Sequence, residues 1–119
     1  MLPKFYYDHY QEFLSLLLKF QASLTFPERN NFAEPYQELQ RKFNQEIMVL
    51  NGSELEGENY QNWQSLQTEI HRTFKLLQTQ VMFLLTSRQS TTNQKHLTTI
   101  FNYLNQLIAY CQKTVNSKI

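Results

Sequence analysis

Apolar residues recur along this chain in steps of three and four, in four runs separated by short polar stretches. The stretch Tyr60 to Arg88 (YQNWQSLQTEIHRTFKLLQTQVMFLLTSR) contains neither glycine nor proline, and its apolar positions are Trp63, Leu66, Ile70, Phe74, Leu77, Val81 and Leu84. That spacing is the helical repeat, held for about seven turns. Between Phe74 and Leu85, Leu76, Met82, Phe83 and Leu85 add apolar atoms on the flanks of the stripe. A helix apolar over so much of its surface must be covered on most sides. The pattern predicts the central helix of a small bundle, from about residue 59 to residue 88.

Three further helices follow from the same reasoning. The first runs from about Pro3 to Leu24, with Tyr6, Tyr10, Phe13, Leu17, Phe20 and Leu24 as a heptad-like seam. Phe5 and Tyr7 lie off that seam and either pack on a neighbouring helix or form an exposed aromatic patch. The second runs from Phe32 to Leu50, with Phe32, Tyr36, Leu39, Phe43, Ile47 and Leu50 inward. Its outer face carries Glu38, Arg41, Lys42, Gln45 and Glu46, and Glu38 with Lys42 makes a surface pair worth a few tenths of a kcal/mol. Asn31 with Glu34 resembles a capping box, and Asn51-Gly52 is a stop signal. The fourth helix runs from about residue 92 to Val115, capped by Thr91 or Thr92. Its stripe is Leu97, Ile100, Phe101, Leu104, Leu107, Ile108, Cys111 and Val115. Short connections favour antiparallel neighbours, so the fold expected is an all-α, up-down-up-down four-helix bundle.

Composition narrows the class. A chain of 119 residues is one domain by length. Two glycines and three prolines are too few for the turns of a β-rich fold, and nine Phe with seven Tyr are too many for a disordered chain. The single Cys111 cannot form an internal disulfide and reads as a buried thiol in a reducing compartment. No basic segment leads into an apolar run at the start. The most apolar run, Phe13 to Phe20, is broken by Ser15 and Lys19 and falls far short of the ~20 residues of a membrane span. A cytoplasmic protein without a membrane partner is expected.

Charge is distributed unevenly. Residues 1–69 hold ten acids against five bases, whereas residues 70–119 hold six bases and no acid. Such polarity fits an anionic partner, head-to-tail self-association, or internal neutralisation when the two halves pack. The loop NGSELEGE, with Glu54, Glu56 and Glu58, reads as a solvated linker.

Candidate chemistry is sparse. His9, His71 and His96 fall in no zinc or di-iron spacing, and His9 and His71 are expected at helix surfaces. Neither a phosphate-binding loop nor a nucleophile elbow occurs, and the acids fall on polar faces where nothing raises a carboxyl pKa. No catalytic residue, metal ligand or cofactor is nominated, and an enzyme is not expected. Six bases over fifty residues, with a pI near 7.9, are sparse for a nucleic-acid-binding face, which remains the alternative. What is left over is apolar: Phe5, Tyr7, Leu76 and Phe83 exceed what one narrow seam needs. They either widen the core or, flanked by Arg72 and Lys75, form a partner-binding or dimerisation face.

The wording of three segments adds a family. LPKFYYDHYQEFLSLL, TFPERNNFAEPYQELQRKF and NYQNWQSLQTEIHRTFKLLQTQVMFLLTSR together resemble PatD, a short helical family of filamentous cyanobacteria. The likeness extends over essentially the whole chain. It implies a regulator of heterocyst frequency, and contact with the cell-division GTPase FtsZ. It transfers no site residues.

Overall fold

The computed structural model describes residues 2–25, 32–86 and 90–116, with the backbone alone at 90–93. Helix α1 spans Lys4–Thr25 and buries Tyr6, Tyr10, Phe13, Leu17, Phe20 and Leu24, the seam set by the heptad spacing. Helix α2 spans Ala33–Lys42, helix α3 Gly57–Thr86 and helix α4 Ser90–Val115. Thr91 and Thr92 therefore lie inside the first turn of α4 rather than before it. Asn31, the expected cap of α2, lies outside the described residues.

The second helix is not α-helical to Leu50. It turns π-helical at Phe43–Ile47, with the Met48 N–H donating to the Phe43 carbonyl at 2.8 Å. The physical reason is the drift of the apolar stripe. Each step of four turns an α-helix by about 400°, so Leu39, Phe43 and Ile47 would rotate steadily off the core. A wider i→i+5 turn absorbs that drift and keeps Phe43 and Ile47 buried. The segment then stops at Asn51-Gly52. Gly52 has φ +74°, and a Cβ there would stand 2.6 Å from the Trp63 ring. The close approach and the left-handed backbone both require glycine.

Helix α3 packs along α4, α4 along α1, and α1 along α2 and its π turn. The residue pairs give the directions. Lys19 meets Glu38 and Glu12 meets Lys42, so α1 and α2 are antiparallel. Phe13 meets Phe74 and Tyr6 meets Trp63, so α1 and α3 run parallel across the core. Gln80 of α3 meets His96 of α4, near the turn that joins them. The result is an up-down-up-down four-helix bundle measuring 49 × 21 × 19 Å.

One interface is wider than the rest. No Cα of α2 or its π turn lies within 8 Å of a Cα of α3. Aromatic rings fill that gap: Phe43 stacks on Phe74 with centroids 4.1 Å apart, and Phe13 sits 6.0 Å from Phe43. Below this ring layer the core is polar but satisfied. The Trp63 indole N–H donates to the Tyr10 hydroxyl at 2.9 Å, and Tyr10 donates to Gln67. The Gln67 amide in turn donates to the Ile47 carbonyl at 2.8 Å, which also accepts from the Leu50 N–H at 3.2 Å where the π turn ends. Tyr6 accepts from the Gly52 N–H at 2.8 Å and donates to Glu54 at 2.7 Å. Burial, followed by the bond to Glu54, pushes the Tyr6 phenol up to about 12. These bonds fix the acidic loop against α1.

Candidate functional site

The six candidate residues do not converge. Arg72, Leu76 and Phe83 lie four and seven residues apart on one exposed stripe of α3, and Lys75 stands beside them. Phe5 and Tyr7 sit at the start of α1, level with Trp63. Arg72 is nine and Phe83 twenty residues further along α3, so the second group lies between about 14 and 30 Å away along the helix axis. Phe5 packs its ring edge on Tyr6 and faces His9 at 6.3 Å. The Phe83 ring lies 5.4 Å from that of His96. The Arg72 guanidinium is tied to Glu69 at 2.7 Å, and this bond holds its pKa above the usual value. Lys75 is exposed and has no acidic partner within 4 Å among the described residues.

A cluster that sequence spacing did not nominate joins α1 to the π turn. Lys42, expected on the outer face and paired with Glu38, is instead only 5% exposed. Its ammonium donates to Glu12, to Glu46 at 3.0 Å and to His9 Nδ1 at 3.1 Å. Glu38 pairs across the interface with Lys19 at 3.4 Å. The reason is position: Lys42 follows Leu39 by three and directly precedes Phe43, which places it on the rim of the core. The bond from Lys42 lowers the Glu12 pKa. The ligand atoms of His9, Glu12 and Glu46 all lie within 4.8 Å of one another, a grouping able to hold a cation. Here the cation is the ammonium, and its three protons match the three acceptors. The cluster therefore acts as an internal clasp between α1 and α2.

The histidines also depart from expectation. His9 and His71 are half-buried rather than surface groups. His71 packs edge-on against Phe43 at 5.3 Å, and its Nε2 is buried without a hydrogen-bond partner among the described residues. Burial, then the neighbouring Lys75, lowers its pKa. Cys111 is buried as expected, and burial pushes its thiol up, away from the reactive thiolate.

An apolar slot opens where α2 and α3 are held apart. It has a volume of about 310 Å³ and is lined by Tyr36, Gln40, Gln78, Val81, Met82 and Leu85. Val81 belongs to the core at its base, whereas Met82 and Leu85 are 64% and 59% exposed. Both flank the α3 stripe in the sequence, and their spacing of three was the available signal for a second apolar face. Chemically the slot offers apolar surface with two neutral amides at its rim. Among the described residues no helix is long and apolar enough to cross a membrane. Comparison with known proteins brings no matching family model, no matching curated protein and no matching solved structure.

Proposed function

We propose that this protein is a non-enzymatic regulator that works by protein–protein contact, with α3 as its recognition helix. The observation that carries the reading is the surface of α3. Leu76, Met82, Phe83 and Leu85 are all exposed there, and Arg72 and Lys75 stand within about one turn of Leu76. Large apolar side chains with a nearby cation are the usual anchors of an interface. The resemblance to PatD supports a specific form of this role: tuning of heterocyst frequency through contact with FtsZ in the cytoplasm.

Titration of the purified protein against purified FtsZ, with and without GTP and over a salt series, tests this form. Saturable binding that weakens with salt is expected, and Arg72→Glu combined with Lys75→Glu should weaken it by about tenfold or more. Absence of binding at every salt concentration would remove FtsZ as the partner. Unchanged binding by the charge-reversed protein would move the contact away from Arg72 and Lys75.

A further inference from the structure

We propose that the slot between α2 and α3 is a docking site for an acidic amphipathic helix supplied by another protein. The inference rests on the protein-binding reading above and names the chemistry of the partner. An apolar trough between two helices receives one stripe of a third helix, through anchors spaced three and four residues apart. Met82 and Leu85 supply the exposed apolar walls, with Val81 at the base. Gln40 and Gln78 offer amides to polar groups at the edge of such a stripe.

Charge selects the occupant. From Ile70 to the end of the chain there is no carboxylate side chain, so the α3 wall meets a partner with Lys75 and no acid. The acids of α2 point elsewhere. Glu38 is engaged by Lys19, and Glu34 and Glu38 line a separate cleft with Gln37 and Arg41. A helix carrying Glu or Asp beside its apolar stripe therefore meets attraction along the α3 side and, among the described residues, no acid lining the slot. A second copy of this chain is the poorer fit. The α3 surface that a second copy would insert exposes Leu76, Met82, Phe83 and Leu85 and carries Arg72 and Lys75, with no acid beyond Glu69, so it would bring like charges together at the slot.

The probe is a synthetic amphipathic helical peptide of about 18 residues, long enough to hold helical structure. It carries Leu at successive three- and four-residue steps with Glu on either side of the stripe. A counterpart carries Lys in place of Glu. Binding to the intact protein is followed by the methyl resonance of Met82. The Glu peptide should shift that resonance saturably and bind at least about tenfold more tightly than the Lys peptide. Met82→Asp with Leu85→Asp should abolish binding, whereas Leu18→Asp, at an exposed position of α1, should leave it unchanged. Equal binding of both peptides, or shifts confined to other residues, would overturn the proposal. So would a slot already closed by self-association, seen as a dimer in sedimentation that Met82→Asp dissolves. If FtsZ binds but tolerates Met82→Asp with Leu85→Asp, the slot falls and the protein-binding reading stands. If the Glu peptide binds and FtsZ does not, the slot stands and the partner changes.

Discussion

At the scale of single residues, Lys42 shows how burial and charge are weighed. Its side chain is 5% exposed, yet two of its acceptors, Glu12 and Glu46, reach solvent at 64% and 44%. Removing one partner of a buried ion pair is costly when the charge left behind is buried, by about 3 kcal/mol or more. The asymmetry of exposure therefore decides which removal matters. Lys42→Met leaves two carboxylates that water can solvate and fills the same space with an apolar stem. It should change unfolding free energy by no more than about 1 kcal/mol. Glu12→Ala combined with Glu46→Ala leaves the buried ammonium with only the imidazole of His9 and no carboxylate. That double variant should lose about 3 kcal/mol. Urea titrations followed by the single tryptophan, Trp63, separate the two cases. Equal losses would show that the clasp is not governed by which charge is buried.

At the scale of elements, the wide α2–α3 interface has its own titrating group. His71 projects from α3 against Phe43 of the π turn with its Nε2 buried, and burial lowers its pKa from 6.5. The unfolded chain therefore binds a proton at His71 at higher pH than the folded one does. Stability from this group is complete above pH 6.5 and is lost as pH falls from there towards the folded pKa. His71→Leu should flatten that part of the profile, while losses below about pH 5, where carboxylates titrate, should persist. Matching slopes in the two proteins between about pH 7 and pH 5 would exclude His71 as the source. How much of these elements could be read from the sequence follows from the same geometry. Periodicity located four helices and the buried seam of α1, because a regular stripe reports directly on burial. It could not show the π turn, which leaves Leu39, Phe43 and Ile47 at ordinary helical spacing and changes only the winding between them. Nor could it show that Lys42 faces inward, because residue type argues for the surface and only the packing of α1 overrides it. The slot was half legible: Met82 and Leu85 were visible as flanking residues, but the separation of α2 from α3 depends on two stacked rings contributed by distant segments.

At the scale of the whole molecule, the charge polarity of the chain is also a polarity in space. Residues 1–56, with α1, α2 and the acidic loop, carry eight acids and five bases, a balance of −3. Residues 57–119, with α3 and α4, carry two acids and six bases, a balance of +4. Internal neutralisation would place ion pairs between these halves. Among the described residues every ion pair instead joins α1 to α2 or its π turn, lies between Lys42 and Glu46, or lies within α3. What crosses between the halves is the aromatic layer, the aliphatic seam and neutral hydrogen bonds such as Gln21 to Asn105 at 3.0 Å. Stability and recognition should therefore respond differently to salt. Exposed ion pairs contribute about 0–1 kcal/mol each and are screened, whereas the buried Lys42 clasp is screened much less. Raising sodium chloride from about 0.05 M to about 0.5 M, where the Debye length contracts severalfold, should move the unfolding free energy by less than about 1 kcal/mol. Over the same range, binding of an acidic helix to α3 should weaken steadily, because among the described residues no ion pair joins the basic half to the acidic one. A loss of several kcal/mol of stability over this range would mean that attraction between the halves helps hold the bundle together. The charge of α3 and α4 would then be spent inside the molecule, not offered to a partner.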